Sequence, residues 1–473
     1  MRTLLWFKQD LRLDDHPAVL HAATASRCVL PVYILDTRLL GISPPRGHRV
    51  GVHRVRFLLE GLAALDGELR FYNSRLLVLA GDPEVLIPRL VEQMELNEVV
   101  TLDEPAPAER VMFARIRKQL GDAELKVLPA DGLGLLDGAG DKSLPTVTSF
   151  SQFVAQVETR QHVFQPRPAP LSFPPLPANS ETLFEPVPTL SQLGLGEPLA
   201  FANSAFPFSG GEPAAKARLQ DYFWSSQGIR RYLDQHEQLI GVQTSSKFAP
   251  WIAQGSLSPR RIAAELRRYE SQAGADDSTR LFWRGLLWRE FFAWTLRRHG
   301  NVLFESHGLK TAQAAPRGHD QRFVEWCEGK TGMPLVDAAM RELAATGFIS
   351  HRARRIAASY LVRYLEQDWR LGAAWFEEHL LDYEPASNWG NWAFIAAAAS
   401  EPRRSASFNI MRQARALDPQ AEYIARWLPE LRDIPAELRH TPFLLPNSQR
   451  DALRYPCLQN IPADWQPYMH TAA

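Results

Sequence analysis

Short apolar runs separated by turn residues dominate the first quarter of the chain. Residues 3 to 7 (TLLWF), 28 to 35 (CVLPVYIL), 75 to 79 (RLLVL), 98 to 102 (EVVTL) and 125 to 128 (LKVL) are β-branched or leucine-rich, with amphipathic stretches between them. That alternation predicts strands joined by helices near 16–26, 51–66, 83–95 and 106–120, hence a parallel α/β sheet. Asp82-Pro83 reads as a cap followed by a first-turn proline. Ligands of such sheets sit at the carboxyl ends of the strands. No GxGxxG follows the first run, which argues against a classical dinucleotide site there.

The pattern then breaks. Eleven prolines between Pro166 and Pro213 cannot enter regular helices or central strands and mark a long connector. Beyond it the apolar period changes to three and four, as in IAAELRRY (262–269), LLWREFFAWTLRR (286–298) and VDAAMRELAAT (336–346), so an all-helical domain is expected. The expected division is 1–135 for the α/β domain, 136–213 for the connector, 214–437 for the helical domain and 438–473 for a tail. Of thirteen tryptophans, twelve follow the connector, so the chemistry of large flat rings is concentrated in the helical part.

Charge adds a constraint. With 53 Lys+Arg against 53 Asp+Glu in 473 residues, a polyanion partner must be held by a local patch and not by bulk attraction. Three scattered cysteines are too few for a disulfide framework, a zinc site or an iron–sulfur cluster, which points to a reducing compartment and no metal. No apolar run is long enough to span a membrane, and the opening turns charged too early for a signal-peptide core. The expectation is a cytoplasmic monomer without a membrane partner.

Four segments carry candidate chemistry. In TSSKFAPWIAQGSLSPRRI (244–262), Ser245, Ser246 and Lys247 precede a helix whose free N–H groups favour an anion, although an ordinary cap and a solvated lysine would look the same. In LFWRGLLWREFFAWTLRR (281–298), Trp288 and Phe292 share a face, as do Phe291 and Thr295, the usual mark of core; Arg289-Glu290 reads as a locally paired couple. In the 329–370 stretch a helix begins with His351, Arg352, Arg354 and Arg355, and cations at a helix start oppose the dipole unless an anion is near. LLDYEPASNWGNWAFIAAAA (380–399) gathers Asp382, Asn388, Trp389, Asn391 and Trp392 around Gly390, with Trp369 upstream. Buried amides need partners and indoles offer stacking faces, so the set suits a planar, polar-edged, phosphate-bearing ligand.

With these motifs in order, residues 1 to about 437 resemble the photolyase/cryptochrome family, and its DASH-type branch in particular. The resemblance rests on WFKQDLRLDDHPAVL (6–20), SSKFAPW, LLWREFF, GKTGMPLVDAAMREL, ASNWGNW, FNIMRQA (408–414) and WLPEL (427–431). It implies a Rossmann-like amino-terminal antenna domain and a helical domain that binds FAD non-covalently. Tyr232, Ser245, Ser246, Lys247 and Phe248 would hold the phosphates and ribityl chain, with Ala249 where the branch usually has serine. Arg354 would pair with Asp382 beside the isoalloxazine, Asn388 would face its N5, and Glu384 replaces a family aspartate. Trp392 and Trp369 match the first two members of the electron-transfer chain, while the third falls at Pro316.

Two further positions depart from the family pattern where the lesion would lie. Gly285 stands where photolyases have a dimer-binding glutamate, and His351 where they have an asparagine, resembling the proton-donating histidine of (6-4) photolyases; their second histidine corresponds to Arg355. The DNA-facing set implied is Trp288, Arg352, Arg355, Arg403 and Arg404, and Glu109 is the candidate contact for a reduced folate (methenyltetrahydrofolate) antenna. The resemblance thus implies a blue-light-responsive FAD flavoprotein that prefers single-stranded or lesion-containing DNA, with at most weak dimer repair. The alternative is a light-driven lyase acting on cyclobutane dimers or (6-4) photoproducts, and a third reading is a light-dependent regulator acting through protein contacts.

Overall fold

The computed structural model describes residues 1–41, 49–104, 106–128, 135, 149–160, 165–198, 204–310, 320–396, 409–458 and 461–469. Strands β1 (Arg2–Phe7), β2 (Cys28–Asp36), β3 (Leu77–Gly81), β4 (Glu98–Leu102) and β5 (Glu124–Leu128) form one parallel sheet in the order β3-β2-β1-β4-β5. Helices α1 (Pro17–Ala25), α2 (Val52–Arg70), α3 (Pro83–Gln93) and α4 (Pro107–Arg117) connect them. The period-2 alternation sorts side chains to the two faces. Leu5, Phe7, Val29, Leu35 and Val100 meet α1 and α2, while Leu4, Trp6, Leu30, Val32 and Val99 meet Ile87 and Leu90 of α3 and Phe113 and Ile116 of α4.

Two edges differ from the sequence expectation for one reason. Asp66 accepts from Arg70, Arg75 and the Leu76 N–H, which prolongs α2 beyond residue 66 and delays β3 to Leu77. Asp82 caps α3 by accepting from the Glu84 N–H at 2.9 Å, with Pro83 in the first turn.

After the connector, in which helix α5 (Phe150–Arg160) and two short 3-10 turns are the described helical elements, the chain is helical. The elements that matter below are α6 (Glu212–Gln220), α7 (Pro259–Ala273), α8 (Asp277–His299), α9 (Pro334–Thr346), α10 (His351–Arg363), α11 (Trp369–His379) and α12 (Pro385–Ile395). A buried ionic seam fastens this part to the loop after β1: Arg260 pairs with Asp15 at 2.9 Å and Arg261 with Asp14 at 2.7 Å. Arg12 donates to the Gly255 carbonyl at 2.8 Å, and Gly255 is needed there, because at its φ of +80° a Cβ would lie 2.1 Å from the Gln9 carbonyl oxygen. The residues after 438 also pack back: the Tyr455 hydroxyl donates to buried Asp337, and Trp465 is fully buried.

Candidate flavin cavity and sheet-edge acidic site

Residues 244–248 form a turn held from behind. Buried Arg218 of α6 donates to the carbonyls of Ser245 at 3.1 Å and Ser246 at 3.0 Å and pairs with Asp221 at 2.5 Å. A guanidinium clamping two consecutive carbonyls fixes the backbone, and Lys247 is thereby held at a φ of +61°, unusual for a residue with a side chain. Lys247 is buried; its ammonium makes one long hydrogen bond, to Thr244 Oγ1 at 3.4 Å, and lies 5.1 Å from the centre of the Phe348 ring. Burial, with some repulsion from Arg218 and Arg354, holds it down to about 8. Its compensating charge is buried Glu342, whose own carboxyl burial pushes up to about 7, and an ammonium so weakly matched suits an anion. Phe248 packs edge-on against Tyr222 and Phe282, and the Tyr232 ring meets Phe282 at 5.4 Å.

Arg354 reaches Phe348 from α10, its guanidinium 5.6 Å from the ring centre, so this phenyl links the two cations. Arg354 also pairs with Asp382 at 2.9 Å. The other carboxylate oxygen of Asp382, Oδ1, is buried without a hydrogen-bond partner, a costly state unless a ligand donates to it. Buried Asn388 donates to the Ala373 carbonyl at 2.9 Å, which anchors its side chain to α11 and leaves the amide oxygen as its acceptor. Glu384 departs from the cofactor role inferred for it: its carboxylate accepts from the Ala386 and Ser387 N–H groups and the Ser387 hydroxyl, so it caps α12.

Trp392 is buried over Gly372, where a Cβ would come within 2.2 Å of its ring, and it meets Phe376 at 5.1 Å and Trp326 at 6.2 Å. Trp369, also buried, donates to the Ser306 carbonyl and meets Trp389 edge-on at 5.8 Å. Among the described residues no ring contact joins Trp392 directly to Trp369. Pro316 lies outside the described residues.

The set expected to face DNA is rearranged. Arg352 forms an ion pair with Glu237, which neutralises it against the end of the 232–235 helix. Trp288, far from presenting an open face, is stacked on Phe150 at 3.6 Å and tilted against Phe292 at 5.5 Å. Glu290 is buried and accepts from the Leu135 N–H at 3.1 Å. Arg355 is half-buried near His351, and Arg403 and Arg404 lie outside the described residues. His351 is exposed, and its crowded surroundings, then repulsion from Arg355, Arg354 and His236, shift its imidazole towards the neutral form. Gly285 is exposed, and a Cβ there would meet only the Tyr232 hydroxyl, at 3.8 Å.

A second polar cluster lies at the carboxyl ends of β1 and β4, where the strand order reverses. Lys8 donates to Thr101 Oγ1 at 3.0 Å and the Leu102 carbonyl at 2.7 Å and pairs with Glu104 at 3.4 Å. Glu109, in the first turn of α4, has its Oε2 buried without a hydrogen-bond partner, and burial together with the Glu104 charge pushes its carboxyl up to about 7. Burial raises Glu104 as well.

The two parts thus define a sheet-plus-helical flavoprotein architecture. Residues 3–172 match the family described as DNA photolyase and residues 282–467 the FAD binding domain of DNA photolyase. A protein named cryptochrome DASH from Gloeobacter violaceus is 38% identical over 454 residues, covering 94% of this chain and 89% of its own. The crystal structure of a Synechocystis cryptochrome superposes with a TM-score of 0.90 at 34% identity, covering 98% of this chain and 97% of that one. An archaeal photolyase from Sulfolobus tokodaii, whose structure holds two FAD molecules and implies a novel light-harvesting cofactor, gives 0.76 at 26% identity over 99% and 98% of the chains. The chain belongs to the photolyase/cryptochrome family and, within it, to the cryptochrome DASH group.

The helical domain is accordingly a photolyase-type FAD-binding domain, and the residues present fit the group: a buried ammonium short of compensation and an orphaned carboxylate oxygen await an anionic and a hydrogen-donating partner. Arg218, Phe348 and Phe150 escaped the sequence reading. A buried arginine one turn before Tyr222 in EPAAKARLQDY was the available signal for the first; nothing in the sequence marks the other two. Among the described residues there is no helix long and apolar enough to cross a membrane and no His/Cys/Asp/Glu cluster able to hold a metal.

Proposed function

We propose that this protein is a blue-light-responsive FAD flavoprotein that binds DNA, with a preference for single strands and at most weak dimer repair. The observation that carries the reading is the Arg354–Asp382 pair with its unpartnered Oδ1, flanked by buried Lys247 and Asn388. Bound FAD supplies the light-driven one-electron chemistry. Around it, Lys247, Ser245 and Ser246 hold the phosphates, Asp382 accepts from the ring system, and Asn388 presents its amide to N5. Trp392, and beyond it Trp369, are the electron donors of the chain. Glu384 acts at one remove, by capping the helix that carries Asn388 and Trp392.

Gly285 removes the carboxylate expected to grip a dimer, which supports weak repair. The alternative, a lyase for cyclobutane dimers or (6-4) photoproducts, has less support because Gly285 lacks the dimer-binding carboxylate and Arg355 stands where the second histidine would be. At the carboxyl ends of β1 and β4, Glu109 and Glu104 suit a heterocycle rich in N–H donors, such as a reduced folate antenna, better than a phosphate-rich dinucleotide. The reading makes the protein a monomer of the cytoplasm, where its three unpaired cysteines remain reduced. The test is direct: purified protein contains stoichiometric FAD, binds oligothymidylate more tightly than duplex DNA, and under blue light repairs dimers in single strands slowly or not at all. Absence of flavin, or rapid repair of duplex lesions, would overturn it.

A further inference from the structure

We propose that Trp326 and Tyr364 form a branch of the electron relay, refilling Trp392 from the surface of the helical domain. This branch presupposes the bound flavin of the reading above and adds donors to it. Among the described residues the rings that meet Trp392 are those of Phe376, at 5.1 Å, and Trp326, at 6.2 Å and 76°. Of the two, the electron-rich indole is the one that can give up an electron. Trp369, by contrast, meets Trp389 at 5.8 Å and gives its indole N–H to the Ser306 carbonyl. Trp326 is fully buried in the helix Gln321–Cys327. Its ring lies nearly parallel to those of Phe376 and Phe323, each 6.0 Å away, at 17° and 22°, which holds it in place beside Trp392.

A fully buried indole that loses an electron needs a donor nearer water, and α10 leads to one. The Trp326 indole N–H donates to the Ala357 carbonyl of α10 at 3.0 Å. One turn on, buried Tyr360 lies on the same side of that helix, and its ring stacks on that of half-buried Tyr364, 5.6 Å away at 26°. The Tyr364 hydroxyl donates to Asp464 at 3.3 Å, and Asp464 is exposed. A phenol is a good one-electron donor only where its proton can leave with the electron, and this carboxylate is placed to take it. One electron then moves inward: light drives it from the Trp392 indole to the flavin, the Trp326 indole refills Trp392, and Tyr364 refills Trp326 across Tyr360. Tyr364 is left as a neutral radical with its proton on Asp464. An external thiol returns a hydrogen atom to the phenol oxygen and becomes a thiyl radical, and Asp464 releases its proton to water.

Two readouts on the flavin-loaded protein test this: bleaching under blue light with a thiol reductant, and electron paramagnetic resonance of the radical trapped under light without thiol. Flavin content and melting of each variant in the dark show that the fold and the cofactor are retained. Trp326→Phe and Tyr364→Phe should each lose more of the bleaching than Trp369→Phe does. The parent should show a tyrosyl signal that is absent from Trp326→Phe and Tyr364→Phe and weakened in Asp464→Asn. If Trp326→Phe does not fold, Tyr364→Phe, which removes only a hydroxyl from a half-buried ring, decides the matter. Parent-like bleaching in Tyr364→Phe, a tyrosyl signal that survives in it, or an indole radical alone in the parent would overturn the proposal while leaving the flavin reading intact. A parent protein that carries no flavin would overturn both.

Discussion

The two polar clusters of this molecule each bury a carboxylate oxygen without a partner, yet they have opposite electrostatics. In the helical cavity, Asp382 is matched by Arg354, and Lys247 lies on the other side of Phe348 with Glu342 as its carboxylate neighbour, whose carboxyl burial pushes up to about 7, so positive charge is the less firmly matched. At the carboxyl ends of β1 and β4, Lys8 pairs with Glu104 while Glu109 keeps an unpartnered oxygen, and both carboxyls are pushed up. The first suits a ligand that brings negative charge. The second suits a neutral or N–H-rich ring that lets the carboxyls keep or share a proton. Equal exposure of orphan oxygens therefore does not mean equal ligands; the neighbouring charges decide.

The largest test of this contrast removes one acid from each site. Asp382→Ala leaves Arg354 half-buried and unpaired, which is expected to cost about 2–5 kcal/mol and to strip the flavin, read by thermal melting and by the flavin released on denaturation. Glu104→Ala relieves a like-charge pair and leaves Lys8 its hydrogen bonds to Thr101 and the Leu102 carbonyl, so melting should stay near the parent value at pH 8. Similar losses in both variants would break the comparison.

Next in size is light-driven reduction. Trp392→Phe should lose most of the flavin bleaching seen under blue light with a thiol reductant, because Trp392 is the indole of the Asn388 helix that faces α11 across Gly372. Trp369→Phe and Trp389→Phe should slow it less. Bleaching of Trp392→Phe at the parent rate would move electron entry to another aromatic.

How much of this was legible beforehand differs between the same two regions. All five strands lie within two residues of their expected ends, because strand burial on both faces writes itself as continuous apolar runs. Asp382, Arg354, Asn388 and Lys247 were nameable because their motifs resemble a family. The Arg354–Asp382 pair was named with them, but the groups that hold Lys247 and Asn388 were not. Glu384 has the right charge for a ligand role, but its carboxylate is taken by two backbone N–H groups, a local competition invisible in a motif. Trp288 reads from its helical stripe as core and from the resemblance as DNA-facing, and nothing in sequence says that Phe150, 138 positions earlier, lies against it. Long-range stacking has no periodicity to read.

A subtler effect should separate the acidic site by pH. The Glu109 carboxyl stands at about 7 in the folded protein, against about 4.3 for a free glutamate. The folded state therefore holds the proton more tightly, and the stability this gives is present at low pH and lost as pH rises through 7. Glu109→Gln, which cannot ionise, should melt near the parent at pH 5 and above it at pH 8, the gap opening between those values. A gap that is constant with pH would show that Glu109 ionises as freely as a surface carboxylate. Weaker uptake of added reduced folate by the same variant would tie the carboxyl to the antenna.

The smallest effect sharpens the cavity side. Gly285 sits inside α8, where glycine costs about 0.5–1 kcal/mol relative to alanine, and the added Cβ would meet only the Tyr232 hydroxyl at an ordinary contact distance of 3.8 Å. Gly285→Ala should thus raise stability by about that amount in urea melts, with the flavin spectrum unchanged, because no bulky group is waiting to be displaced. If Gly285→Ala is destabilising instead, the floor of the cavity is tighter than the geometry indicates and the glycine is there for close approach. If it is stabilising, the space is available for a longer side chain, and Gly285→Glu can be read for its chemistry. That variant should bind dimer-containing single strands more tightly than the parent, since the carboxylate then has room to accept from the bases, and an unchanged preference would place the barrier to repair elsewhere in the cavity.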